Sequence, residues 1–184
     1  MSIEKYTTKA FVLAMYDNGE NDKSFKLFTR DFGLIIAHAR GIRKLESKLR
    51  GHILVGHLIL VTIVQGKEVW RITGCEEINI ESRFRNEVIK IIERFIKGEG
   101  SHKKLFDKLN YICETVGNYN ESDLRLFTYF ILLVDLGYAD ATIIGAKNIE
   151  EYKSWSVEDL YVHFVVNKNH VKKHIQIVMK EIQL

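Results

Sequence analysis

The feature that most constrains this chain is a change of hydrophobic period near residue 80. Before it, apolar residues come in short β-branched or alternating runs; after it, they recur every three or four positions. Such a chain builds a β unit followed by an α unit rather than alternating layers. The first run, KAFVLAMY, ends at Tyr16 in the turn formers Asp17-Asn18-Gly19-Glu20 and predicts a strand. In SFKLFTR, Phe25, Leu27 and Thr29 alternate with Lys26, Phe28 and Arg30, the period of two of a second strand with unlike faces. Asp31-Phe32-Gly33 closes a tight hairpin, with Gly33 supplying the positive φ, and LIIAHAR continues as a third strand to Gly41. Farther on, HLILVTIVQ (His57 to Gln65) and EVWRITGCEEI form another hairpin, with Gly66-Lys67 placed for a type II′ turn.

Five strands laid flat in so short a segment would leave both edges open to aggregation. A closed five-stranded barrel of the OB-fold type is therefore expected. From Ser82 the period is helical. Val88, Ile91, Ile92, Phe95 and Ile96 mark one helix ending at Gly98, and Ser101 opens a second that carries Leu105, Leu109 and Ile112 and ends near Gly117. Asn120 caps a third, ESDLRLFTYFILLVDLG, which is apolar nearly all round and reads as the buried helix of a bundle. Ser156 and Asp159 have the spacing of a capping box before VEDLYVHFVV, and Asn169 precedes a separate basic amphipathic helix, HVKKHIQIVMKEIQL. The expected fold class is α+β: an OB-fold nucleic-acid-binding domain over residues 1–80 and an all-α domain over 81–184.

The apolar run from Leu58 to Val64 is far shorter than the roughly 20 residues of a membrane span, and Met1 to Ala14 lacks the features of a signal peptide. A cytoplasmic protein with no membrane partner is expected. The two cysteines, Cys75 and Cys113, form no paired motif, so neither a disulfide framework nor a zinc knuckle is indicated. No nucleophile elbow or phosphate-cradling glycine motif occurs, and the carboxylates at Glu76, Glu77, Asp135 and Asp140 have no base or nucleophile at a recognisable spacing. An enzyme is not expected, nor is a cofactor.

Charge is informative through its distribution. Residues 1–80 carry 12 Lys and Arg against 9 Asp and Glu, whereas the remainder balances. The densest cluster is Arg40, Arg43, Lys44, Lys48 and Arg50, facing only Glu46, all in the connection between the third and fourth strands. Cations there can contact phosphates, with Lys26 and Arg30 on the neighbouring strand adding to them and Phe28, which shares their face, as a candidate ring for base stacking. The competing reading is a solvated loop and a core phenylalanine. Five phosphate contacts would give single-strand binding a salt slope of about −3.5. On the terminal helix, Lys168, Lys172, Lys173 and Lys180 could meet an acidic peptide or more DNA, or simply form its wet face. His170 and His174 have ligand spacing, but HVKKH lacks the catalytic Glu and its two lysines would repel a metal, so no metal site is expected.

These residues resemble the bacterial recombination mediator family RecO. Its E-x-D falls at Glu20 and Asp22, its T-x-x-x-G at Thr29 and Gly33, and its A-x-G-x-R-K-x-x-S at Ala39, Gly41, Arg43, Lys44 and Ser47. ITGCEEI, Ile72 to Ile78, is similar to the end of the same domain, and LFTYFILLVDLGY, Leu126 to Tyr138, to the family's apolar helix. Many relatives then carry a four-cysteine zinc site; ADATIIGAKNIEEY has no cysteine there, so the zinc site is expected to be absent. The chain is also short for the family.

The resemblance implies a non-catalytic protein of recombinational DNA repair, located at the nucleoid. It implies binding of single- and double-stranded DNA, annealing of complementary strands, and help in loading the recombinase RecA onto DNA coated with single-strand DNA-binding protein. RecR and the acidic tail of that binding protein are the implied partners. The alternative is an OB-fold adaptor that binds proteins or RNA and does not anneal strands.

Overall fold

The structure is a computed structural model that describes residues 4–66, 69–78, 85–98, 100–115 and 120–181. Five strands, β1 (Lys5–Asn18), β2 (Asp22–Thr29), β3 (Gly33–Ala39), β4 (Leu58–Gln65) and β5 (Trp70–Ile78), close into a barrel in the order β1-β2-β3-β5-β4. Its pairings are antiparallel except β3 with β5, and β1 pairs with both β2 and β4 to complete the ring. This is the expected five-stranded OB-fold followed by helices. Inward positions two residues apart fill the interior: Ala10 and Val12, Phe25 and Leu27, Ile35 and Ala37, Ile59, Val61 and Ile63, and Ile72. Trp70 joins Tyr6 and Phe32 in an aromatic cluster, with centroids 4.9 to 6.1 Å apart.

The β2–β3 turn shows why the sequence needs Thr29 and Gly33. The Thr29 hydroxyl accepts from the Phe32 N–H at 3.0 Å and donates to the Gly33 carbonyl at 2.9 Å. Gly33 has φ of 69°, and a Cβ there would stand 2.1 Å from the Gly100 carbonyl oxygen. Glycine is therefore required twice, by conformation and by the close approach of a second backbone. The turn expected at Gly66-Lys67 falls partly on residues 67 and 68, outside the described ones.

Among the described residues five α-helices follow: α1 (Arg85–Phe95), α2 (Lys103–Thr115), α3 (Glu121–Asp135), α4 (Ile149–Ser154) and α5 (Val157–Glu181), with a 3₁₀ turn at Ala141–Ile144. The period change at Ser82 and the helix end near Gly117 lie outside the described residues. The chain divides into two compact units, residues 1–107 and 108–184. Asn120 caps α3, its side chain accepting from Ser122 N at 2.9 Å, and eight residues of α3 are buried. At the start of α5, the Asp159 N–H donates to Ser156 Oγ at 3.1 Å while the Ser156 N–H donates to Asp159 Oδ2 at 3.3 Å, a reciprocal capping box.

The 3₁₀ turn and α4 are not expected from the sequence, and the last helix differs from expectation. Asn169 does not start a new helix; α5 runs unbroken for 25 residues. The buried stripe Leu160, Phe164, Val171, Ile175 and Val178 keeps helical spacing across Asn169, which is exposed. Packing along that stripe outweighs the small intrinsic cost of an asparagine in a helix interior. No helix among the described residues is long and apolar enough to cross a membrane.

Candidate nucleic-acid interface

The connection from β3 to β4 is pinned at both ends and open in the middle. Gly41 (φ 63°) donates its N–H to Asp22 Oδ1 at 2.7 Å, and the Arg43 N–H donates to the Asn21 carbonyl at 3.0 Å, so the connection begins tied to the β1–β2 turn. Asp22 thus acts across to the connection, beyond the local turn that its sequence position suggests. Successive four-residue turns follow, with Lys44 N bonded to Gly41 O, Ser47 N to Lys44 O and Arg50 N to Ser47 O at 3.1 to 3.2 Å. Ile42 and Ile53 are buried and plug the barrel end. Leu45, at 88% exposed, and the cations between those two anchors face solvent. At its far end the connection bonds to β1 through Gly56 N and the Val12 carbonyl at 2.9 Å, beside a bulge between Val12 and Ala14.

The result is a cleft of about 380 Å³. Phe25, Ile42 and Ile53 give it an apolar floor, Met15 and Leu54 its sides, and Lys23, Arg43 and Arg50 its charge. Two cations of the basic connection are therefore brought together, and Lys23 joins them from β2. Lys23 is a residue the sequence reading missed, although it shares the alternation of Phe25, two positions on. Its ammonium lies 3.1 Å from the Met15 sulfur and 3.8 Å from Asp17 Oδ1; Arg43 Nη1 lies 3.7 Å from Asp17 Oδ2. Arg40, Lys44 and Lys48 are exposed and have no carboxylate partner among the described residues, and they do not line the cleft.

Lys26 on β2 and Arg30 just past its end have partners outside the cleft. Arg30 makes a two-pronged bond to Asp107 at 2.7 and 2.8 Å, and Lys26 pairs with Glu93 at 3.7 Å. Phe28, the candidate stacking ring, is 0% exposed and packs on Phe106 at 5.5 Å between centroids. It cannot meet a base. The alternation rightly puts Phe28 on the outer face of the barrel, but the first turn of α2 covers that face there, with Phe106 also touching Phe11. Asp31, nearby, is held below the usual carboxylate range, first by the Thr8 hydroxyl donating at 2.6 Å and then by Lys103.

An exposed ring does stand on the uncovered part of the outer face. Tyr16, 51% exposed, lies opposite Ser24, which lies opposite His38, which lies opposite Arg71 on β5. Directly opposed residues share a face, so tyrosine, histidine and arginine form one row across four strands. The bulge before Ala14 shifts the parity of β1 and places Tyr16 there, which alternation alone would not reveal. His38 Nδ1 is 2.8 Å from Ser24 Oγ and 3.2 Å from Asn18 Nδ2. Both contacts use the same ring nitrogen, so this is not the serine–base–orienting group arrangement of a hydrolase.

In the helical unit, Lys168 pairs with Asp123, while Lys172, Lys173 and Lys180 are exposed along α5. His170 is exposed and His174 half-buried, and no group of three or more metal-ligating side chains occurs among the described residues.

Residues 1–80, the barrel and its basic connection, match the family model described as Recombination protein O N terminal. The barrel belongs to the RecO N-terminal family. Proteins named DNA repair protein RecO are similar over a longer stretch. That of Dehalococcoides mccartyi is 30% identical over 143 residues, covering 72% of this chain and 56% of the relative. That of Roseiflexus sp. is 29% identical over 144 residues, covering 72% and 50%. That of Caldanaerobacter subterraneus is 28% identical over 164 residues, covering 81% and 66%. The chain thus spans about half to two thirds of the length of these RecO relatives. The RecO pattern residues now have visible structural tasks: Asp22 anchors Gly41, and Thr29 builds the turn at Gly33.

Proposed function

We propose that this chain is a non-catalytic DNA-binding protein of recombinational repair. It binds single- and double-stranded DNA, anneals complementary strands, and helps load the recombinase RecA onto DNA coated with single-strand DNA-binding protein, working with RecR in the cytoplasm at the nucleoid. The barrel, residues 1–80, is the nucleic-acid-binding domain, and the helical part, 81–184, meets protein partners, with Lys172 and Lys173 offered to an acidic tail.

The observation that carries this reading is the cleft, where Lys23, Arg43 and Arg50 surround an apolar floor. Cations that follow a phosphate backbone next to surfaces that accept base faces are what an unpaired strand requires. Arg40, Lys44 and Lys48 extend the positive field along the connection. The names of the RecO relatives support a role in DNA repair.

Strand annealing tests the proposal. The protein is expected to speed pairing of complementary oligonucleotides without any nucleotide, and to do so when they are coated with single-strand DNA-binding protein. An unchanged pairing rate would reject annealing and favour the adaptor reading.

A further inference from the structure

We propose that Asp17 is a built-in competitor for the cleft: its carboxylate partly offsets the charges of Lys23 and Arg43 in the free protein, and a phosphate of an entering strand must displace it. This rests on the reading of the cleft as a strand-binding site and adds how that site is regulated.

Asp17 lies directly opposite Lys23 in the β1–β2 register, and its two oxygens address two different cations, Lys23 at 3.8 Å and Arg43 at 3.7 Å. Both distances exceed those of hydrogen bonds, so attraction is present without a directional bond. The Asp17 side chain is also 65% exposed, which keeps its charge well solvated and each pair weak. The contrast with Arg30 is instructive. There the carboxylate of Asp107 satisfies the guanidinium fork at 2.7 and 2.8 Å, and no lone phosphate would gain by replacing it. At the cleft, a phosphate can approach to hydrogen-bonding distance and gain what Asp17 does not make. Arg50 has no carboxylate partner among the described residues and offers the strand a first foothold. Asp17 therefore relieves repulsion among the three cations when the cleft is empty and lowers the affinity for any anion that enters it.

The test is fluorescence anisotropy with a labelled oligothymidylate of about 15 nucleotides, within the span of one barrel. Asp17→Asn should tighten binding about three- to tenfold at low salt. Glu181→Gln, an equal change of net charge at an exposed residue of α5, should leave affinity within about 1.5-fold. On an Arg43→Ala background, Asp17→Asn should give a smaller gain, the part that comes through Lys23. If Asp17→Asn binds no better than the unaltered protein while Arg43→Ala with Arg50→Ala weakens binding, the competitor role is wrong and the cleft stands. Equal tightening by Glu181→Gln would reduce the effect to net charge and also overturn the proposal. If the unaltered protein fails to bind, or the arginine variants bind as it does, the cleft itself is refuted and the role of Asp17 falls with it.

Discussion

Replacing Arg43 and Arg50 together by alanine removes two of the three cations of the cleft, and the structure sets the size of the effect. Three phosphate contacts at about −0.7 each give a slope of log affinity against log salt of about −2.1 for single strands. Raising salt from about 50 to 200 mM should then weaken the unaltered protein about 18-fold. The variant, left with Lys23, should have a slope of about −0.7 and lose only about threefold over the same range. The two titration curves should therefore converge at high salt, a behaviour that misfolding or a general loss of affinity would not produce. Arg30→Ala serves as the comparison, because Arg30 is already held by its two-pronged bond to Asp107 and should leave the slope unchanged. A slope near −3.5 for the unaltered protein would mean that all five cations of the connection engage the strand. Parallel slopes for the unaltered protein and the double variant would refute the assignment of phosphate contacts to Arg43 and Arg50.

Two further predictions concern buried chemistry. The Lys108 ammonium bonds both oxygens of Asp135 at 2.8 and 2.9 Å and sits 4.2 Å from the centre of the Tyr152 ring, with both charged side chains only 11% exposed. Asp135 ends α3, where the helix dipole disfavours a carboxylate, so Lys108→Met should cost about 3 to 5 kcal/mol in urea unfolding, and Lys108→Met with Asp135→Leu should recover most of it; a single-variant loss under about 1 kcal/mol would contradict a buried pair. The Cys75 thiol is pushed up to about 11 by burial first and by Glu77 and Glu76 second. At pH 8 its alkylation by iodoacetamide should be about 100-fold slower than that of an ordinary thiol and should rise with pH until about 11, and a plateau below pH 10 would show the thiol to be unperturbed.

The barrel was legible because its signals are local. Alternation at Phe25, Leu27 and Thr29, the glycine at 33 and the continuous apolar run of β4 each fix an element from a few neighbouring residues. The basic connection was equally plain as a cluster. Its division was not. Arg43 and Arg50 line the cleft while Arg40, Lys44 and Lys48 do not, and that depends on where Ile42 and Ile53 anchor the chain against the barrel end. Phe28 is buried and Tyr16 exposed for similarly non-local reasons: Phe106, far along the sequence, covers the first, and the bulge in β1 redirects the second. The unbroken α5 belongs with them, since its continuity across Asn169 depends on what the buried stripe packs against.

The sequence by itself determined that strands come first and helices second, how many strands there are, where they turn, and that positive charge concentrates between the third and fourth. Those properties follow from steric preferences and hydrophobic period, which act over a few residues. Only the tertiary structure decided which cations remain available to a ligand. Arg30 is bonded at both prongs to Asp107, 77 residues away along the chain, whereas Arg43 and Arg50 share a cleft with Lys23 and only a loosely held Asp17. Charge acts through distance and burial, and both are set only when the chain has folded.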